Sequence, residues 1–153
     1  MRLTVSGLRN MILFFSRLTA KGITISAILL NNKSSAYPEL THPLSRGGSA
    51  NYYAFNAAEA DGVETLAAVG AFLAQRYRDN DHGIVMNWIV GNEVNVRSDW
   101  NYMQYVDLDT YAREYANAVR GFLQQHQEYE RECESLCFDG SAVESGSVVE
   151  EQL

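Results

Sequence analysis

Cysteine is scarce in this chain: there are two, Cys133 and Cys137, both close to the C-terminus. Neither a second cysteine pair nor a cluster among the three histidines completes a four-ligand set, so the spacing gives no metal site and two unpaired thiols are expected. Long apolar runs are also missing. Met11 to Phe15, the longest stretch without a polar residue near the start, is shorter than a signal-peptide core and far short of the roughly 20 residues that span a bilayer. No membrane partner is expected, and no cellular address can be read. Basic residues are outnumbered, twelve Lys and Arg against nineteen Asp and Glu. Without a basic stripe to meet phosphates, nucleic acid is excluded as a partner. There is no Gly-rich phosphate loop and no Ser-His-Asp arrangement, and no cofactor is expected.

The net charge of −7 is unevenly spread. Residues 130–153 hold six Glu and one Asp against a single Arg, which leaves the rest of the chain close to neutral. A content of 46% hydrophobic and 20% charged residues is that of a globular domain with a core.

Periodicity orders the elements. Leu8, Met11, Ile12, Phe15 and Leu18 recur at helical spacing, and Lys21-Gly22 supplies a stop. "ITISAILL", Ile23 to Leu30, is β-branched and then apolar throughout, as in a parallel strand covered on both faces. It ends at Asn31 and Asn32. A long loop follows, broken by Pro38, Pro43, Gly47 and Gly48 and rich in aromatic residues, which favours function over disorder. Val63, Leu66, Ala67, Gly70, Leu73, Ala74 and Tyr77 predict a second helix, with Asp61 as its N-cap. A second strand, within "GIVMNWIVGNEVN", closes on Asn92 and Glu93. A third helix carries Leu108, Tyr111, Tyr115, Val119 and Phe122 on one face, with Asp107 or Asp109 to cap it. Such alternation predicts an α/β fold with a parallel sheet.

In parallel sheets and barrels, the loops at the C-terminal strand ends build the site. A Glu at a strand end, partly desolvated by aromatic residues, suits a proton donor. Glu93 is the candidate catalytic residue, with Asn92, Asn31, Asn32, Trp100, Asn101, Tyr102 and His42 as candidate substrate-binding residues. Trp88, inside the strand, reads as core, and Arg97 is a weaker binding candidate.

Taken in order, a strand after "KG", a long loop, a helix ending "FLAQRY" and a strand closing on Asn-Glu resemble the third and fourth βα units of the cellulase-like clan of retaining glycoside hydrolases. These are (β/α)8 TIM barrels. "KGITISAILLNN", "YPELTHP", "NWIVGNEVN" and "WNYM" resemble, more narrowly, an uncharacterised bacterial family of such barrels, a domain of unknown function, over roughly residues 8–125. The resemblance implies that Glu93 is the general acid/base and that Asn92 hydrogen-bonds the sugar hydroxyl beside the reacting carbon. It implies a carbohydrate substrate, and it allows a secreted or cell-surface location for the intact protein. The clan's nucleophile, a Glu on the seventh strand, has no counterpart here. Glu39 and Asp99 are the nearest spare carboxylates in sequence, and both read as solvated loop charges.

A (β/α)8 barrel typically needs about 250 residues. Residues 1–125 are therefore expected to be a truncated partial barrel, and residues 126–153 an aberrant, disordered acidic tail such as a shift of reading frame would produce. A carbohydrate-binding or inactive barrel relative, and a non-functional truncated product, stay open as alternatives.

Overall fold

The computed structural model describes the backbone of residues 5–138 and the side chains of residues 10–123. The expected tail beyond residue 138, and the side chains of Cys133 and Cys137, lie outside the described residues. In chain order the elements are α1 (Val5–Ala20), β1 (Ile25–Leu29), α2 (Ala60–Arg76), β2 (Val85–Val90) and α3 (Leu108–Phe138), with two single-turn 3-10 helices, Pro38–Leu40 and Pro43–Ser45, in the long loop. Among the described residues this is a small α/β arrangement of three helices and a two-stranded parallel sheet.

Helix α1 ends where the sequence predicts. Gly22 adopts φ 70, its N–H donates to the Thr19 carbonyl at 2.9 Å, and the Ile23 N–H donates to the Leu18 carbonyl at 3.0 Å. Together they form the paired C-terminal closure of a Schellman motif, which needs a left-handed residue at the turn. Two residues later the chain enters β1.

Strand β1 pairs in parallel with β2, Ala27 opposite Trp88 and Leu29 opposite Val90. The register slips near the start, where Ile25 and Ser26 face Val85 and Asn87 and leave Met86 over as a bulge. Ile25, Ala27, Leu29, Val85, Trp88 and Val90 pack toward the helices. On the other face Asn87 donates to the Ser26 hydroxyl at 3.0 Å. The expectation that β1 is covered on both faces is corrected here: Ile28, Ile89 and Met86 are 49%, 45% and 66% exposed, so among the described residues one face of the sheet is open.

Among the described residues the apolar core has three clusters, one formed by Ala54, Met103 and Tyr111 and two that pack on the sheet. Leu66 of α2 and Ala118 and Phe122 of α3 close over Val90. Toward the other end of the strands, Met11, Phe15 and Leu18 of α1 cover Ile25, Val85 and Tyr77. Trp88 joins the two clusters on the sheet, its ring 6.2 Å from that of Tyr77 and 6.1 Å from that of Phe122, in the core role its strand position predicts.

Helix α2 starts earlier than Asp61, the expected cap. The Asn56 side-chain oxygen accepts the N–H groups of Ala58 and Glu59, both at 3.2 Å, and so folds the chain into a turn. Glu59 then occupies the N-cap without a side-chain capping bond, and Asp61 falls inside the first turn. There its charge still complements the helix dipole. At α3 the cap is Asp107, whose carboxylate accepts the Thr110 N–H at 2.9 Å and the Thr110 hydroxyl at 2.8 Å. The α3 backbone continues through residue 125, the expected domain boundary, to Phe138. No Gly or Pro interrupts the run from Leu123 to Asp139, and Gln, Glu and Arg within it favour helix.

Gly22 and Gly83 separate two uses of glycine. A Cβ on Gly22 would meet nothing within 4 Å, whereas on Gly83 (φ 87) it would lie 2.5 Å from the Phe15 carbonyl carbon of α1. Gly22→Ala should therefore cost about 1 kcal/mol, from the left-handed backbone alone. Gly83→Ala should cost at least about 2 kcal/mol, since α1 must also shift off β2. Denaturant unfolding of the two variants side by side checks the order, and equal losses would contradict it.

Candidate functional site

The parallel register decides where the polar strand ends fall. Asn31 and Asn92 each lie two residues past a paired position, Leu29 and Val90, and the Gly91 N–H extends the ladder by donating to the Leu29 carbonyl at 2.9 Å. The end of β1 and the Asn92-Glu93 pair therefore share one rim.

Past β2 the chain turns sharply. Gly91 has φ 78, and Glu93 is the one non-glycine residue with positive φ, 42, among the described residues. The Glu93 carbonyl accepts the Val96 N–H at 2.7 Å, and the Val96 carbonyl in turn accepts the N–H groups of Asp99 and Trp100 at 3.2 and 3.1 Å. Two linked turns thus carry the chain from Glu93 to Trp100. The Trp100 ring stacks on Tyr52, 5.3 Å between centroids and 12° between planes. Backbone bonds tie the two loops together: Tyr52 N–H to the Asp99 carbonyl at 2.9 Å, and Tyr102 N–H to the Tyr52 carbonyl at 3.0 Å. Tyr53 then returns to the β1 end, its N–H donating to the Asn31 carbonyl at 2.8 Å.

The candidate residues divide by what their side chains do. Glu93 and Asn32 are exposed and Asn92 half-buried, and none of the three makes a side-chain hydrogen bond among the described residues. Asn31 is buried, and its amide nitrogen donates to the carbonyls of Leu40 and Ala54 at 2.9 and 3.1 Å. These bonds hold the long loop against the end of β1. Asn101 is buried as well, its amide donating to the Tyr111 hydroxyl at 2.8 Å. Tyr102 packs edge-on against Tyr53 and lies over Gly48, where a Cβ would come within 1.9 Å of its ring. Arg97 donates to the Val106 carbonyl at 3.2 Å and stacks over Tyr105. These four side chains are engaged within the rim, while those of Asn32, Asn92 and Glu93 make no hydrogen bond among the described residues.

Tyr52 is a rim residue that the sequence did not single out. It lies among the loop aromatics, but nothing in its spacing marks it as the partner of Trp100, 48 positions away. Glu39 lies elsewhere, with Arg46, Glu59 and Asp61 around a groove of about 600 Å³ at the start of α2. There Arg46 and Glu59 form an ion pair, and this bond to Arg46, with another from Asn56, holds the Glu59 carboxyl below the usual carboxylate range. Among the described residues no group of three or more His, Cys, Asp or Glu could hold a metal ion, and no helix is long and apolar enough to cross a membrane.

Compared with protein families, the chain matches the model of a family of unknown function, DUF5722, over residues 3–139. The chain belongs to the DUF5722 family. No curated protein and no solved structure matches it. The DUF5722 match spans α1 through α3, including the stretch of α3 past residue 125.

His42, a substrate-binding candidate by sequence, is buried in this DUF5722 chain and has a structural role. It is 3% exposed, and its Nδ1 accepts the Leu44 N–H at 3.2 Å, capping the short helix Pro43–Ser45. An accepting Nδ1 puts the proton of the neutral ring on Nε2, which points at the Glu114 carboxylate 3.6 Å away on α3. Burial lowers the His42 pKa below its ordinary 6.5, against the opposing pull of Glu114 and Glu59, and Arg46 lowers it further. The folded chain then takes up this proton less readily than the unfolded chain. Its contribution to stability is full above about pH 6.5 and declines as the pH falls below that value. His42→Asn keeps a short acceptor for Leu44 and cannot titrate. It should flatten this part of the stability profile between about pH 7.5 and about pH 5, measured by urea unfolding; an unaltered slope would remove His42 as its source.

Proposed function

We propose that this chain carries the acid/base end of a retaining glycoside hydrolase-like (β/α)8 barrel, acting on the O-glycosidic bonds of a polysaccharide or glycoside, with Glu93 as general acid/base. One observation supports this above all: a carboxylate with no side-chain partner among the described residues stands, exposed, just past the C-terminal end of a parallel strand, on the rim shared with the neighbouring strand. The C-terminal ends of parallel strands in α/β folds are where sites are assembled, because the helices turn away there and leave the floor open.

In this proposal Glu93, protonated, gives its proton to the leaving oxygen and then, ionised, takes one from the water that completes the reaction. Asn92 hydrogen-bonds the hydroxyl beside the reacting carbon. The Trp100–Tyr52 stack offers aromatic surface of the kind on which the apolar face of a pyranose packs. Retention needs a second carboxylate about 5 to 5.5 Å from the first. The end of β1 bears the amides Asn31 and Asn32, so that carboxylate would come from another strand. The same observation favours a second reading, a barrel relative that binds glycans without cleaving them.

Glycosides with good and poor leaving groups separate the two. Assayed in a DUF5722 member that also supplies the second carboxylate and has the same Asn-Glu pair at a strand end, replacing the Glu at the Glu93 position by Gln should slow turnover of poor leaving groups roughly 10²- to 10⁴-fold. Activated aryl glycosides need little protonation and should keep their first step, with azide restoring the second. Equal loss on both classes without azide rescue would take the acid/base role from Glu93. Glycan binding with no turnover at all would establish the second reading.

A further inference from the structure

Because the Glu93 side chain makes no hydrogen bond among the described residues, its direction is set by the backbone of its own turn. That backbone is held from below by α3. Tyr111 and Tyr115 are one helical turn apart and so share a helix face. The Tyr115 hydroxyl donates to the Val90 carbonyl at 2.8 Å, and the Tyr111 hydroxyl donates to the Val94 carbonyl at 2.6 Å. Val90 is the last residue of β2 and Val94 the first after Glu93, so the two hydroxyls grip the segment on either side of Gly91, Asn92 and Glu93.

Each grip is itself supported. Asn101 donates to the Tyr111 oxygen at 2.8 Å, which occupies an acceptor position, and of the two carbonyls within reach of the hydroxyl proton Val94 at 2.6 Å is nearer than Asn101 at 3.3 Å. Val94 lies close over Gly91, where a Cβ would come within 2.9 Å of its Cγ1 and 3.7 Å of the Tyr115 ring. A glutamate with φ 42 sits in a region that L-residues avoid, and without restraint the turn would relax toward negative φ.

We propose that Tyr111 and Tyr115 are positioning residues that clamp the carbonyls flanking the Glu93 turn and hold it in its left-handed conformation. The meaning of that clamp for catalysis rests on the acid/base reading of Glu93; the conformational claim stands without it.

Native-state amide exchange on the whole chain tests it. The Val96 N–H, bonded to the Glu93 carbonyl, reports the turn. Tyr111→Phe and Tyr115→Phe each remove one hydroxyl and should speed Val96 exchange about tenfold, with the amides of α2 unchanged. In a Glu93→Gly background no strain is left to drive the turn open, and the same two substitutions should change Val96 exchange less than about threefold. Unchanged Val96 exchange in both Phe variants, or an equal increase with and without Glu93→Gly, overturns the clamp. Should a Phe variant not fold, the hydroxyl protons of the unmodified chain decide by NMR: slow exchange supports the clamp and rapid averaging overturns it. Where glycosides are turned over, loss of the clamp should lower kcat and leave KM unchanged. A chain that shows the exchange pattern and no turnover keeps the clamp and overturns only the acid/base assignment.

Discussion

The parallel pairing of β1 with β2 is the constraint on which the other features depend. With Leu29 opposite Val90 and the Gly91 N–H on the Leu29 carbonyl, both strands run out at the same level and in the same direction. A slip of one residue would turn every side chain of a strand to the opposite face, exchanging Val90 with the exposed Ile89 and taking Trp88 out of its contacts with Tyr77 and Phe122. The packing of α2 and α3 over Val90 therefore fixes where Glu93 stands. Apolar burial sets the register, and the register sets the rim.

On that rim the chain must satisfy the backbone of a long loop with little regular structure, since buried N–H and C=O groups left unpaired are costly. It does so with buried polar side chains. Asn31 holds the carbonyls of Leu40 and Ala54, Asn56 holds the Glu39 carbonyl at 2.8 Å and turns the chain into α2, and Ser45 donates to the Tyr102 carbonyl at 2.6 Å. His42 caps a single helical turn from inside. On its exposed side, Lys33 of the same loop donates to the carbonyls of Arg46 and Gly48 at 2.6 and 2.9 Å. A loop so bonded is a scaffold, and its aromatics, Tyr52 above all, are held by it at the edge of the rim.

This division explains what could be read from the residues alone. The helices and both strands were legible because their apolar positions repeat at steps of three and four or run continuously, and the site's level was legible because a parallel strand's end is marked by where apolar residues give way to polar ones. Which polar residues face outward was not legible. Asn31 and Asn32 are the same amino acid side by side at one strand end, yet one is buried and spent on carbonyls 9 and 23 residues away and the other is exposed. Nothing local distinguishes them, because the choice is made by where Leu40 and Ala54 return. Asn101 follows the same rule, its partner Tyr111 being supplied by α3. The α3 backbone runs on to Phe138 beyond its apolar periodicity for a different reason, the absence of any Gly or Pro between Leu123 and Phe138.

The left-handed residue in the turn after β2 is the remaining feature that packing alone does not explain. Asparagine tolerates positive φ several-fold more readily than most residues, and Asn92 is the immediate neighbour, yet the positive φ falls on Glu93. A glycine there would remove the strain without disturbing any side-chain bond of Glu93 among the described residues, because it has none. For stability alone, then, Glu93 is a poor choice at its position. Strain of this kind persists where surrounding structure over-determines it and where the side chain carried there has a use. Here the carbonyl bonds from Tyr111 and Tyr115 lie on either side of the strained residue, and its carboxylate is left exposed just past the end of a parallel strand.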